Sequence, residues 1–363
     1  MNKQQAKGYL LEIVLSKLIE VNGYEVITEC NIPYEHGVPH GEQEIESKHN
    51  GLNVRGRGGY HQFDTLGTFK ITPPFVYPLR LFVEAKCYTN TKVGIDRVRV
   101  GVGILNDINT NYATVNLSTE QLSVKRYQYH YAIFSTSGFS DPAQRYAIAH
   151  KIHLIDLSSD VYKDIIDLIQ QIIDALMDNS DIDDTQFNSF KMAFSELIRD
   201  EVAYHRRSSY CWDESLFDTD LKNLIMDLKN NIENQFIYLA TINSIYMIPL
   251  LANSGFNELL KSNPHLNVSI HFNPEKPDEW IIVPIINNSE SPSLSIRFTL
   301  PELLREYIHQ DAEKAMRVKE KMIDKIVFIA YLDSENPTLC TLTFNKAATL
   351  RNPWTFKYCK GFL

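Results

Sequence analysis

Leu10, Leu11, Val14, Leu15, Leu18 and Ile19 recur at the i, i+3, i+4, i+7, i+8 spacing that places one face of an α-helix on a core. The pattern predicts an amphipathic helix over residues 8–21, stopped at Asn22-Gly23, where glycine accepts the left-handed turn that ends helices. "YEVITECNI" then reads as a strand, and residues 34–58, polar and rich in Gly and His, read as a long loop. "YHQFDTLGTF" and "YPLRLFVEAKCY" read as two strands separated by Pro73-Pro74. Residues 93–112 alternate apolar and charged positions at helical spacing, and "YHYAIFSTSGF" is a β-rich run ending in a turn. "DPAQRYAIAHK" is a helix with Asp141 as N-cap and Pro142 at N1. "IHLIDL" closes the series as a short buried strand. The order α-β-β-β-α-β-α-β predicts an α/β sandwich for residues 1–157.

Beyond residue 157 the pattern changes. Residues 160–177 read as a helix, "DNSDIDD" as an acidic linker, and residues 187–234 as mostly helical. Short β-like runs follow ("FIYLATI", "VSIHF", "WIIVPII", "LSIRFTL", "IVFIAYL", "LCTLTF") around one long helix, 303–321. We expect a separate C-terminal α+β domain over 158–363, with a helical connector at 158–234 and a β-rich part at 235–363. Its role would be specificity, oligomerisation or partner binding.

Composition narrows the class. The chain has 363 residues, long enough for two cores. No run approaches the ~18 apolar residues of a membrane span, and the charged N-terminal section lacks a signal-peptide cleavage site. Five scattered cysteines without CxxC spacing predict a reducing cytoplasm rather than a disulfide frame or zinc module. The net charge of −9 is unevenly spread. Residues 1–157 hold 16 Lys and Arg against 15 Asp and Glu; the remainder holds 20 against 30. The acidity is C-terminal, so the first half can still offer a local basic face to a polyanion.

One strand carries unusual chemistry. Glu84 and Lys86 end the apolar run from Leu79 to Val83, and alternation puts both on one face, roughly 6.5 Å apart along the chain. Burying two charges in a core strand needs a reason. A hard cation such as Mg²⁺ takes carboxylate oxygens while keeping waters and room for a phosphate. Asp64 and Glu84 on adjacent strands would supply carboxylates, and Lys86 would position the attacking water and offset phosphorane charge. Glu12 on the first helix is a further acid for a metal or neighbouring role, and a solvated helix acid is its plainer reading. Gln62 shares a strand face with Asp64 in this reading and would touch the metal water or DNA, whereas His61 points away. Arg55 and Arg57 in "RGRGG" suit phosphate contact, as do Arg97 and Arg99 after the active-site strand. "HRRSSYCW" in the second half is a small basic-aromatic cluster, read first as a solvated helix end. P-loop, Rossmann glycine, HExxH and nucleophile-elbow patterns are absent from the sequence.

Asp64 followed by Glu84-Ala85-Lys86 resembles the PD-(D/E)XK nuclease superfamily, whose pattern is an acid, a variable gap, then acid-x-lysine. E-x-K alone is common; the flanking "GRGGYHQFD", "PLRLFVEAKCY", "GYEV" and "YAIFSTSGFSDPAQRYAIAHKIHLIDL" are similar to the Mrr-like restriction endonuclease branch. The resemblance covers residues 5–157. It implies a restriction-endonuclease-like core, a mixed central sheet flanked by helices, hydrolysing DNA phosphodiesters with Mg²⁺ or Mn²⁺. It also implies a setting in restriction or anti-phage defence. A homodimer, or a protein partner docked on the C-terminal domain, would suit cutting of both strands. Three rivals stand beside it: an RNA or branched-DNA nuclease activated by a partner, a catalytically silent nuclease-fold binding module, and a structural protein with a fortuitous E-x-K, which would show no stabilisation by divalent metal on melting. Glu84 and Lys86 also have a bland reading, as a surface ion pair on an edge strand.

Overall fold

The computed structural model describes residues 2–346 apart from 36–37, 50, 73, 111–126, 179–181, 200–218, 235–236, 243–245, 274–275, 309–310 and 333–335. The "HRRSSYCW" cluster lies outside the described residues. The chain is a mixed α/β protein with several sheets.

Helix α1 (Lys3–Val21) begins before the apolar stripe because Asn2 and Gln5 form a capping box around its first turn. It ends at Asn22, and Gly23 follows at φ +89°. Strands β1 (Tyr24–Val26), β2 (Ile45–Lys48), β3 (Gly51–Arg55), β4 (Tyr60–Gln62), β5 (Thr65–Phe69) and β6 (Leu79–Lys86) come next. Helix α2 (Ile95–Asn109), β7 (Gln128–Ser135), α3 (Asp141–His150) and β8 (Ile152–Asp156) complete the first half. The main sheet has the order β1-β5-β6-β7-β8, antiparallel through β6 and parallel beyond it. β6 is therefore the central strand, covered on both faces, which is why Leu81, Phe82 and Val83 are all buried. The edge-strand reading of Glu84 and Lys86 fails for the same reason.

Three expectations need correction here. Residues 34–58 are not one loop: β2 and β3 pair with β4 as a separate three-stranded sheet. "YHQFDTLGTF" is two strands in two sheets, broken at Phe63-Asp64. The N-cap of α3 is Ser140, whose side chain accepts from Ala143 N, with Asp141 inside the first turn.

Helices α4 (Lys163–Asp178), α5 (Asp184–Arg199) and α6 (Thr219–Asn234) pack around α1 and share its core, with Phe190, Phe194, Ile225 and Leu228 buried against Leu11, Val14 and Leu18. The amphipathic reading of α1 thus understated its burial. Its polar side is covered too: Lys17 pairs with Glu233 at 3.1 Å, and Arg199 donates to Ser16 Oγ at 2.7 Å.

The C-terminal region holds β9 (Ile237–Ile242), β10 (Tyr246–Leu251), α7 (Ser254–Ser262), β11 (His265–Asn273), β12 (Lys276–Ile286), β13 (Ser289–Glu290) and β14 (Ile296–Phe298). Helices α8 (Glu302–Ile308) and α9 (Ala312–Lys321), then β15 (Lys325–Tyr331) and β16 (Pro337–Phe344), follow. Seven strands form a barrel in the order β11-β16-β15-β9-β10-β14-β12, closed by pairing of β12 with β11. Closure removes open edges, and Trp280, Phe298, Ile270, Ile282 and Leu342 pack a continuous apolar core. The single helix expected at 303–321 is two helices, because Asp311 caps a new start by accepting from Glu313 N and Lys314 N. The first core cluster continues through Ile237, Leu239 and Met247 of the barrel wall. Asn22 joins both halves, donating to Ile237 O at 3.0 Å and accepting from Leu239 N at 2.6 Å.

Candidate active site

Strand alternation brings Glu84 and Lys86 to one face at the end of β6, and the Lys86 ammonium pairs with Glu84 Oε1. Glu84 Oε2 accepts the hydroxyl of Tyr131. Tyr131 stands on β7, opposite Phe82 in the parallel register, with its ring stacked on Phe82 at 4.8 Å between centroids. Gly101 of α2 lies against that ring: a Cβ there would approach it to 2.9 Å. A glycine on one helix thus lets a tyrosine on one strand hold a carboxylate on the next.

Asp64 reaches the same place from the break between β4 and β5, rather than from within a strand. The break lets its side chain turn to the end of β6, where Ala85 N donates to Asp64 Oδ2 at 2.7 Å. Thr65, the next residue, donates through Oγ1 to the Glu12 carbonyl at 3.3 Å, fixing α1 beside the sheet. The Glu12 carboxyl is pushed up to about 8, first by burial and then by the charge of Asp64, while Lys191 and Lys86 oppose the rise. Asp64 is raised as well, by burial and by Glu84, against the Ala85 N–H and Lys86. These mutual influences place Glu12, Asp64, Glu84 and Lys86 in one cluster.

The four groups differ in how far they are satisfied. Both oxygens of Glu84 are engaged. One oxygen of Asp64 and the whole Glu12 carboxyl have no hydrogen-bond or ion-pair partner among the described residues. Half-buried carboxyl oxygens without donors suit a hard cation, which would supply the missing positive charge. Among the described residues, no group of three or more His, Cys, Asp or Glu side chains is arranged to hold a metal by itself. A Mg²⁺ ion needs only one or two carboxylates when waters and a phosphate complete its shell.

No family model matches this chain, and no curated protein matches it. Among solved structures, the crystal structure of a protein of unknown function, AF1548, aligns with 62% of this chain and 97% of its own at 14% identity. The TM-score of 0.33 is too low for that likeness to carry fold or function.

The remaining candidates lie outside the cluster's contacts. Gln62 is exposed on β4, opposite Asn53 of β3; the strand stops between it and Asp64, so the shared face expected of that pair does not exist. His61 pairs with Asp107 of α2 at 2.7 Å. Asp107 also accepts from Gly58 N at 2.9 Å, which ties the "RGRGG" turn to the end of α2. The carboxyl of Asp107 is held below its ordinary range, chiefly by His61. Gly56 is required there, since a Cβ would run into Asp107. That turn leaves Arg57 exposed, while Arg55 is drawn to the Glu42 carbonyl. Arg97 and Arg99 are exposed on α2, and Arg99 pairs with Asp96 at 3.1 Å.

Sequence reasoning missed three residues. Tyr131 was one aromatic in an alternating run, and only the register shows that it faces Glu84. Arg80, inside "PLRLFVEAKCY", is fully buried, paired with Glu44 at 2.8 Å and bonded to Tyr129 Oη at 2.9 Å. It anchors the segment before β2 to the main sheet. Lys191 belongs to α5, and nothing in the sequence links it to Glu12.

Proposed function

We propose that this chain is a Mg²⁺-dependent DNA endonuclease with a restriction-endonuclease-like core, a member of the PD-(D/E)XK superfamily near its Mrr-like branch. The observation that carries the reading is the meeting of Glu12, Asp64, Glu84 and Lys86 at the end of the central strand, with carboxyl oxygens left unsatisfied. A mixed sheet flanked by helices is the setting that the resemblance implies.

Asp64 and Glu84 would hold the cation, with Glu12 close by. When bound, such an ion polarises a phosphoryl oxygen and makes its water nucleophilic near neutral pH. The chain's own part is positional. The Ala85 N–H fixes one Asp64 oxygen and leaves the other without a donor among the described residues. Tyr131 holds Glu84 against rotation. Lys86, now paired with Glu84, would orient the attacking water and offset charge on the phosphate oxygens. Arg57, Arg97 and Arg99 offer exposed guanidiniums for backbone phosphates.

A cytoplasmic role in restriction of foreign DNA belongs to the same proposal, as does a dimer or a partner docked through residues 158–363. Among the described residues, no helix is long and apolar enough to cross a membrane, and Cys30, Cys87 and Cys340 are free thiols.

The test is cleavage of supercoiled plasmid by the purified chain with Mg²⁺ or Mn²⁺, with EDTA and Lys86→Ala as controls. Metal-dependent nicking or linearisation that vanishes in Lys86→Ala is the expected result. Equal inertness of wild type and variant on plasmid, methylated DNA and RNA would remove the free-standing nuclease.

A further inference from the structure

Helix α5 lies along α1 with a consistent pairing. Tyr9 meets Phe187 with ring centroids 6.2 Å apart, and the Lys191 ammonium sits 4.7 Å from the Tyr9 ring centroid. Two turns further on, Arg199 donates to Ser16. Tyr9, Glu12 and Ser16 are spaced i, i+3 and i+7, so they form one stripe of α1. Phe187, Lys191 and Arg199 form the matching stripe of α5. Glu12 therefore faces the part of α5 between Lys191 and Arg199. Electrostatics agree with that placement, since Lys191 is the strongest opponent of the upward push on Glu12.

Lys191 is also unsatisfied. It is half-buried, and among the described residues its ammonium has no hydrogen bond and no ion pair, only the Tyr9 ring. Lys86, by contrast, is committed to Glu84. The Lys191 ammonium, with no hydrogen bond or ion pair of its own among the described residues, stands beside a cluster of three acids that must admit a polyanion. Repulsion by those acids has to be met by cations placed to reach a phosphate.

We propose that Lys191 is a substrate-binding residue of this site, taking a phosphate of the DNA strand beside the scissile bond. The inference rests on the nuclease reading. It adds that the site is completed from α5, beyond α1 and the sheet that bring the acids together, and thus beyond the 157 residues in which the family pattern lies.

The experiment compares full-length wild type, Lys191→Gln, Lys191→Arg and, as a remote charge control, Lys222→Gln on the exposed side of α6. Anisotropy of a labelled duplex is read in EDTA across a salt series, so that binding is separated from hydrolysis. Lys191→Gln is expected to weaken binding about fivefold to tenfold and to lower the slope of log K against log salt by about one phosphate contact. Lys191→Arg is expected to restore both, and Lys222→Gln to change neither. In Mg²⁺, the Lys191→Gln defect should appear mainly in KM. Equal affinity and slope for Lys191→Gln and wild type, or a wild type that binds no duplex, overturns the proposal. A Lys191-dependent binding defect in a wild type that cleaves nothing would keep the phosphate contact and remove the hydrolytic reading.

Discussion

The five-stranded sheet and the seven-stranded barrel both bury polar groups, but among the described residues only the sheet gathers several carboxyls in one place. At the barrel wall His271 Nε2 lies 3.0 Å from Ser269 Oγ and 3.1 Å from Glu290 Oε1, while the Lys319 ammonium is buried over the Trp280 ring and pushed down to about 8 by burial. Burial holds the His271 ring below its ordinary range, and the interior is apolar from Trp280 to Leu342. Because both contacts use one ring nitrogen, they do not form a relay, in which the two nitrogens must serve different partners. At the end of the central strand Glu84 and Lys86 meet Asp64 and Glu12, and the Asp64 and Glu12 carboxyls are raised, first by burial and then by neighbouring acids. Several perturbed acids gathered in one place mark a candidate site. The end of β6 is where the proposed chemistry would lie.

Substitutions separate the two regions. Lys86→Ala should lower plasmid cleavage on the order of 10³-fold while leaving the melting temperature within a few degrees. Trp280→Ala should do the reverse, costing roughly 3 to 5 kcal/mol in denaturant titrations, with turnover per folded molecule unchanged.

Glu12→Gln tests the raised carboxyl itself. The folded-state pKa of Glu12 is raised to about 8, so the fold favours the neutral carboxyl. Its contribution is fully present below the unfolded value near 4.5 and is lost as pH rises through about 8. Denaturation midpoints should therefore fall between pH 5 and pH 8.5 in wild type and much less in Glu12→Gln. At pH 8.5 the variant should be the more stable, by on the order of 2 kcal/mol. Gly101→Ala is the mildest change: a Cβ pressed on the Tyr131 ring should cost about 1 to 2 kcal/mol. Cleavage should drop about tenfold through the displaced Tyr131–Glu84 bond, read as a fall in kcat.

The sequence made the end of β6 legible because alternation there is unambiguous: an apolar run ending Glu-Ala-Lys puts the acid and the amine on one face. It also gave the helix ahead of the sheet, the start of β1, and the run β7, α3 and β8, since each has its own periodicity and turn signals. It did not give the small sheet of β2 to β4, whose residues are short and polar and whose attachment depends on the buried Arg80–Glu44 pair. Nor did it give the break at Phe63-Asp64, which moves Gln62 out of the face assigned to it. The barrel was hidden because the pairings of β11 with β16 and of β9 with β15 join strands far apart in the chain. Tyr131 and Lys191 share that cause: each reaches the cluster through packing between elements, which no local pattern encodes.

The most direct test of a cation site at the end of β6 is thermal melting of wild type and Asp64→Asn across a Mn²⁺ titration without nucleic acid. Binding to the folded state alone raises the melting temperature by mass action. The account predicts a concentration-dependent rise in wild type that Asp64→Asn abolishes. A wild type whose melting does not respond to Mn²⁺, or a variant that responds equally, would contradict it.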